Sequence, residues 1–283
     1  MTLVALIVSG QRIVMPIPPD AMILYAQHWP STSQARVPPP HMIPILALRQ
    51  IHKRFGAIVI ADGIDLDLAQ GEALGIIGPN GAGKTTLFGI VSGAVAPDRG
   101  QVLLAGEDIT GLPPEKRCRR GIARSFQVPQ PFTGMTVFEN LVVAAAFGRG
   151  KAERDVYASC AGVLKRCGLA DKANRLAGSL TLLDRKRLEL ARALSVAPKV
   201  LLLDEVAGGL TEHECASLVD LIKSIRADGV SVIWIEHIVH ALAAVADRIA
   251  VLHGGAIIAQ GKPADVVAHP RVREIYMGMP ADE

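Results

Sequence analysis

The sequence has 283 residues, of which 50% are hydrophobic and 20% are charged, and its formal net charge is +3. This length and apolar content are enough to bury the core of one large domain or of two closely packed lobes. The small net charge, with no long basic run that contains aromatic residues, disfavours a nucleic-acid partner.

The first 44 residues differ from the rest of the chain in their frequent prolines. Since proline interrupts helices and central strands, we expect residues 1–44 to form a poorly ordered extension. Two alternatives stay open, a packed N-terminal element and a true start of translation at Met42. The apolar run from Leu3 to Val8 is far shorter than the roughly 20 residues of a membrane span, and it lacks the features of a signal peptide.

Residues 45–283 have the pattern of an α/β domain. Apolar or β-branched runs predict strands at Ile45–Ile51, Ala57–Ala61, Ile64–Leu68, Glu72–Ile77, Val200–Leu203 and Val230–Ile235. Length and periodicity predict helices at Lys84–Ser92, Pro113–Arg120, Thr136–Phe147, Glu153–Cys167 and Leu182–Ser195. A late hairpin is predicted at Val251–Leu252 and Ala256–Ala259, turned by Gly254-Gly255. This order predicts a core with an inserted helical subdomain at approximately residues 128–195.

Two smaller sets of residues are expected to be structurally ordinary. The basic cluster Lys116–Arg120 lies in a predicted helix, where charged runs usually form a solvated face. The four cysteines have no C-x-x-C spacing, which disfavours a zinc site or a redox pair and is typical of a reducing cytosol.

A complete phosphate-binding motif, G-x-x-x-x-G-K-[ST], follows the strand Glu72–Ile77 and precedes a helix. Its glycines let backbone N–H groups converge on phosphate oxygens, and the helix N-terminus adds partial positive charge. The lysine is expected to reach the β- and γ-phosphates, and the first threonine to offer its hydroxyl to Mg²⁺. The predicted nucleotide-binding residues are Gly78, Pro79, Asn80, Gly81, Ala82, Gly83, Lys84, Thr85 and Thr86.

Two carboxylates, Asp204 and Glu205, follow the buried strand Val200–Leu203. Because ligands bind at the carboxyl ends of strands in such sheets, these acids are candidates for chemistry on the bound nucleotide. Asp204 is expected to hold Mg²⁺, directly or through water, and Glu205 to orient or deprotonate the attacking water. A merely solvated strand end is disfavoured because the phosphate-binding motif is also present.

Together these residues resemble the ABC transporter ATPase family, specifically the branch that energises uptake of branched-chain and other hydrophobic amino acids. The resemblance covers about residues 45–279. It implies a P-loop NTPase fold with a mixed-sheet core, an antiparallel β subdomain and the inserted helical subdomain, with ATP and Mg²⁺ as cofactors. Further matching segments are Arg124–Gln127, Pro131–Asn140, Arg185–Leu194, Glu236-His237, Asp247–Ile249, His269–Val272 and Tyr276–Gly278.

The resemblance also implies roles for individual residues. Gln127 matches the glutamine that touches Mg²⁺ and the lytic water, and His237 matches the switch histidine that contacts the γ-phosphate. Phe55 stands where the family places an aromatic ring under the adenine. The alternatives are a surface glutamine, a helical metal pair with His240 for which no third ligand is evident, and a core phenylalanine.

The chain departs from the family at the signature loop, usually L-S-G-G-Q, which contacts ATP held by the other subunit. Here the aligned stretch is Leu180–Asp184. Thr181 keeps a hydroxyl, and with Asp184 it forms a T-x-x-D capping pattern that leaves a helix N-terminus as an anion site. Leu182 and Leu183 place bulky side chains where glycines allow the backbone to approach a phosphate closely. We therefore expect either a weaker contact with ATP held by the other subunit or a harmless variant within this branch of the family.

Two smaller departures are Val206, in place of a proline, and Thr211, where many members have aspartate. With the signature loop they favour a mixed dimer in which a second ATPase subunit supplies a standard signature loop. The resemblance further implies membrane permeases docking near Gln127–Asn140, a solute-binding protein, and a peripheral location on the cytoplasmic face of the inner membrane.

Three alternatives stay open. One is a related importer for urea or for aromatic or carboxylate solutes, since the solute contacts lie in other subunits. The second is a soluble ABC machine, although the chain has neither two cassettes nor a long coiled coil. The third is a nearly inactive regulatory subunit, against which stand Glu205 and His237. GTPases are disfavoured because there is no N-K-x-D motif.

Overall fold

The computed structural model describes residues 2–8, 11–17 and 43–277, and the chain separates into two units, Met1–Pro38 and Pro39–Glu283. In the first unit, β1 (Thr2–Val8) and β2 (Gln11–Ile17) pair in antiparallel fashion. Residues 18–42 of the predicted extension lie outside the described residues, so its disorder and the alternative start at Met42 stay predictions.

The second unit contains two sheets. An antiparallel sheet has the order β4-β3-β6-β7, and a six-stranded sheet has the order β12-β11-β5-β10-β9-β8, parallel except for β12 at one edge. The strands are β3 (Leu46–Phe55), β4 (Ile58–Leu68), β5 (Ala73–Ile77), β6 (Arg99–Leu104), β7 (Glu107–Asp108), β8 (Ile122–Arg124), β9 (Val200–Asp204), β10 (Ser231–Ile235), β11 (Arg248–His253) and β12 (Ala256–Gly261).

The parallel strands β5, β9 and β10 are buried along their whole length, which explains their near-continuous aliphatic sequences. Helices cover the sheets and form a cluster between β8 and β9. They are α1 (Lys84–Ser92), α2 (Pro114–Arg119), α3 (Val137–Arg149), α4 (Glu153–Arg166), α5 (Leu182–Ser195), α6 (Glu212–Ala227), α7 (Val239–Ala243), α8 (Pro263–Ala268) and α9 (Pro270–Met277).

Two helices begin with a reciprocal capping box. The Thr136 hydroxyl accepts from the Glu139 backbone while the Glu139 carboxylate accepts from the Thr136 backbone, and Thr211 and Glu214 do the same for α6. Thr211 is therefore placed structurally as the N-cap residue of α6.

Several details of the sequence interpretation are corrected. Ala57–Ala61 and Ile64–Leu68 belong to one strand, because Gly63, at φ 72°, lets β4 continue through an irregularity in its pairing with β3. Helix α6 and strands β6 to β8 had not been predicted individually. The late hairpin does turn at Gly254-Gly255, although its strands are longer than expected.

The solvated helix face predicted for the basic cluster is wrong for Arg117, which is 1% exposed. Its guanidinium donates to the carbonyls of Ile90 and Val91, at 2.6 and 2.9 Å, and also to those of Thr110 and Leu112. The Ile90 carbonyl also accepts from the Gly93 N–H, and the bonds from Arg117 to Ile90 and Val91 tie α2 to the last turn of the helix that follows the phosphate-binding motif.

Candidate functional site

The residues 78–83 form a tight loop between β5 and α1. A Cβ on Gly78 would lie 2.3 Å from the Leu252 carbonyl oxygen, and one on Gly83 would lie 2.8 Å from the Ile60 side chain. Gly83 also has φ 97°, in the left-handed region that favours glycine. The loop is thus wedged between β4 and β11 in a conformation that other residues would disrupt.

Lys84 is 6% exposed, and its ammonium donates to the carbonyls of Gly78 and Pro79 at 2.7 and 3.1 Å. Burial lowers the pKa of Lys84, while the charges of Glu205 and Asp204 act in the opposite direction. The ammonium therefore lies over the loop and near both acids predicted to act on the nucleotide. Thr85 is exposed and Thr86 is half-buried, both in the first turn of α1.

Glu205 receives two side chains from different parts of the fold. His237 Nε2 donates to Glu205 Oε1 at 2.8 Å, and the Gln127 amide donates to Glu205 Oε2. The Glu205 N–H donates to the Ile235 carbonyl at 2.9 Å, and the residue has φ 46°. A positive φ on a residue other than glycine is uncommon and is often found at functional sites.

Asp204 ends β9 with its side chain almost fully buried. Arg124 Nη2 donates to Asp204 Oδ2 at 2.7 Å, whereas Asp204 Oδ1 has no hydrogen-bond partner among the described residues. The Arg124 guanidinium is close to two rings, 5.7 Å from the centre of Phe88 and 5.2 Å from that of Phe126. Arg124 had been noted only as part of a motif, although an arginine at the end of a buried strand is itself a sign of a buried partner.

A second buried carboxylate, Glu236, is 2% exposed. Its oxygens accept from the Ala207 N–H at 2.7 Å and the His237 N–H at 3.0 Å. Burial raises the pKa of Glu236, and these backbone bonds act against that rise. Lys186 of α5 is also buried, and burial lowers its pKa, while the charges of Glu236 and Glu205 oppose that shift. Sequence reasoning had given Glu236 and Lys186 no role.

The signature stretch lies at the start of α5. Thr181 is the N-cap residue, and its hydroxyl accepts from the Asp184 N–H at 3.3 Å, as the T-x-x-D pattern predicts. The Asp184 carboxylate does not return to the cap but accepts from Lys172 Nζ, at 2.9 and 2.8 Å, in a buried position. Leu182 is 47% exposed.

The structure thus brings Gln127, Asp204, Glu205 and His237 together near Lys84, at the carboxyl ends of β5, β8, β9 and β10. Phe55 lies at the end of β3 in the other sheet. It is 50% exposed, with Lys53 Nζ 5.2 Å from its ring centre, so it is not a core residue. An exposed aromatic face is compatible with stacking on a base.

The arrangement fits a magnesium ion held together with phosphate oxygens. Asp204 Oδ1 is a buried carboxylate oxygen without a partner among the described residues, and carboxylate, hydroxyl and amide oxygens are the ligands that Mg²⁺ prefers. Within those residues, no group of three or more His, Cys, Asp or Glu side chains forms a metal site by itself, and this includes His237 and His240. Such a group is not needed where substrate phosphates complete the coordination.

Two family models match the chain. One described as ABC transporter matches residues 61–208, and one described as Branched-chain amino acid ATP-binding cassette transporter matches residues 256–278. In residues 2–8, 11–17 and 43–277, none of the helices has the length and apolar character of a membrane span.

Curated relatives and a solved structure are similar over most of the chain. The high-affinity branched-chain amino acid transport ATP-binding protein BraF of Pseudomonas aeruginosa is 37% identical, over 83% of this chain and 98% of its own length. LivG of Escherichia coli, with the same description, is 35% identical over the same shares. The ADP conformation of an ATP-binding cassette of an ABC transporter has a TM-score of 0.77 and 30% identity, over 83% of this chain and 99% of that one. This likeness confirms the predicted fold class.

Proposed function

Because the chain belongs to the ABC transporter family and is one of its ATPases, we propose that it hydrolyses ATP to drive uptake of branched-chain or related amino acids. The observation that carries the proposal is the convergence of Gln127 and His237 on Glu205, beside Lys84 and Asp204. The solute class is supported by the family model at residues 256–278 and by the names of the relatives.

The binding step belongs to the loop at residues 78–83 and to Lys84. The loop's backbone N–H groups and the start of α1 surround phosphate oxygens, and the Lys84 ammonium neutralises the β- and γ-phosphates. Thr85, Gln127 and Asp204 are the residues that would hold Mg²⁺. When bound, the ion neutralises charge that develops on the phosphate oxygens. Phe55 stacks on the adenine.

The hydrolytic step belongs to Glu205. Two donors hold its carboxylate in one orientation, from which it accepts a proton from the attacking water or orders that water. Gln127 positions the water, and His237 contacts the γ-phosphate. Hydrolysis breaks the bond between the γ-phosphorus and the bridging oxygen, and yields ADP and inorganic phosphate.

We propose further that the working unit is a mixed dimer on the cytoplasmic face of the inner membrane. This chain holds ATP in its own loop, and a second ATPase subunit presents a standard signature loop to it. Exposed Leu182 supports this assignment, since it stands where a glycine would allow close approach to a phosphate. Exposed apolar side chains at Phe126, Val128 and Phe132 support docking of a permease near residues 127–140.

The experiment is reconstitution of the chain with its cognate second ATPase subunit, permeases and solute-binding protein in proteoliposomes. We expect ATP-dependent uptake of leucine, isoleucine or valine, and none when the chain carries Glu205→Gln. Uptake of urea or of an aromatic acid alone would favour a related importer. ATPase activity that does not respond to the permeases or to solute would favour a soluble ABC ATPase.

The dimer is tested separately by comparing ATPase activity of the purified chain alone and with the second subunit. We expect low activity alone and a large rise on mixing. Full activity of the chain by itself would contradict the mixed dimer without affecting the ATPase assignment.

A further inference from the structure

Arg124 has no role in the proposed mechanism, yet its charged side chain contacts Asp204, one of the residues proposed to hold Mg²⁺. Its side chain is 13% exposed and that of Asp204 is 4% exposed, so their contact is a buried ion pair. The two residues are brought together by the sheet, since β8 runs parallel to β9 and Arg124 is in register with Leu202, two residues before Asp204.

The guanidinium makes three close contacts. Two of them are with the ring of Phe88, in α1, and the half-exposed ring of Phe126, and both distances are within the range of cation–π attraction. The third contact is the bond to Asp204 Oδ2. Arg124 therefore touches the helix after the phosphate-binding loop, the segment that carries Gln127, and the proposed metal-holding acid.

This arrangement distinguishes the two oxygens of one carboxylate. Oδ2 accepts a charge-assisted bond, and Oδ1 is buried with no partner among the described residues. Rotation of the carboxylate would break the bond to Arg124, so Oδ1 is the oxygen left to face an ion. Partners that orient a metal ligand from behind typically change metal affinity about 10- to 100-fold when they are removed.

We infer that Arg124 is a positioning residue that fixes the Asp204 carboxylate with Oδ1 toward the ion, and that it thereby sets how strongly Mg²⁺ promotes nucleotide binding. The inference rests on the proposed role of Asp204. A positioning role of Arg124 can be distinguished from a purely structural role. A residue that only stabilised the fold would affect nucleotide binding to the same extent with and without the metal.

The experiment compares the wild-type chain with Arg124→Met, Arg124→Lys and Phe126→Leu. ADP affinity is measured by calorimetry in EDTA and in excess Mg²⁺, and binding of Mn²⁺ with ADP is followed by electron paramagnetic resonance. The control is Arg226→Met, which removes an arginine paired with Asp247 away from the site.

For Arg124→Met we expect metal-free ADP affinity within about twofold of wild type, and Mn²⁺ affinity in the ADP complex at least about tenfold weaker. Arg124→Lys should recover part of this loss because it keeps the charge, and Phe126→Leu should show a smaller loss. The Arg226→Met control should leave both affinities unchanged.

Equal losses with and without metal, accompanied by a lower Tm in Arg124→Lys as well, would overturn the inference in favour of a structural brace. Unchanged Mn²⁺ affinity in both Arg124 variants would overturn it too. If the wild-type chain itself bound nucleotide without any effect of metal, the proposed role of Asp204 would fail first. The two failures are therefore distinguishable.

Discussion

The two regions proposed to contact ATP differ in how their side chains are held within the chain. The catalytic region, meaning the residues 78–85, Gln127, Asp204, Glu205 and His237 proposed to bind and hydrolyse ATP, is linked within one chain by hydrogen bonds and close charges. The signature region, residues 180–184, exposes Leu182 and turns Asp184 inward to Lys172. The comparison teaches that the side chains proposed for hydrolysis are already in contact within this chain, whereas the proposed trans-acting segment departs from the family's signature sequence.

The largest expected effect tests the catalytic region. Glu205→Gln removes the proton acceptor and keeps the shape of the side chain, so the hydrolysis rate should fall about 100- to 10,000-fold. ATP binding should persist, which equilibrium binding with radiolabelled ATP would detect. A normal hydrolysis rate in the mixed complex would show that the carboxylate is not the acceptor.

A second change in the same region tests binding rather than chemistry. Lys84→Ala removes the buried ammonium and its charge-assisted bonds to phosphate, each worth about 1.5–3 kcal/mol, so ATP affinity should fall about 10-fold to more than 100-fold. Fluorescent-nucleotide titration measures the loss. The exposed Lys223→Ala is a matched control and should bind normally.

In the signature region the informative change restores glycine. The double variant Leu182→Gly with Leu183→Gly should raise the ATPase activity of the chain without its partner, because the backbone can then approach a phosphate held by a second copy. The steady-state rate at several protein concentrations measures this gain. The control is Leu176→Gly, an exposed leucine in the same subdomain. No gain in the double variant would mean that the leucines are not what limits this region.

Lys172→Met tests how firmly the signature region is held. It would leave the buried Asp184 carboxylate without its cation, at a cost of about 3 kcal/mol or more in the free energy of unfolding. Urea denaturation measures the loss. If the stability lost were negligible, the inward position of Asp184 would not be fixed by this pair.

The smallest effect concerns Cys167, which follows α4 in the helical subdomain. Burial raises the pKa of its thiol to about 12 from the ordinary value of 9.0. A raised acid pKa means that the unfolded thiol ionises first, so stability falls as pH rises from about 9 toward 12, by up to about 1.4 kcal/mol per pH unit. Denaturation at pH 8 and pH 10 should show this loss in wild type and a smaller one in Cys167→Ala.

Local parts of the site were predictable and long-range parts were not. The loop at residues 78–83 and the start of α1 are specified by adjacent residues, and the helices at Lys84–Ser92 and Leu182–Ser195 have the predicted bounds. The pairing of Arg124 with Asp204 joins positions 80 residues apart, through a three-residue strand too short to have a periodicity of its own.

Distant partners also explain why the buried positions of Asp184 and Arg117 were not predicted from the sequence. The inward turn of Asp184 depends on Lys172 from a neighbouring 3₁₀ turn, and the burial of Arg117 depends on carbonyls at the far end of α1. In both cases a charged residue that would be solvated on an isolated helix finds a partner that only the tertiary fold supplies.

Glu236 links two backbone segments close to Glu205. One carboxylate holds the N–H of Ala207, in the segment after Glu205, and the N–H of His237. In the proposed mixed dimer, a second subunit that displaced Ala207 would also displace the backbone of His237, whose imidazole bonds Glu205. The proposed second subunit would then act on Glu205 by displacing atoms through the single carboxylate of Glu236.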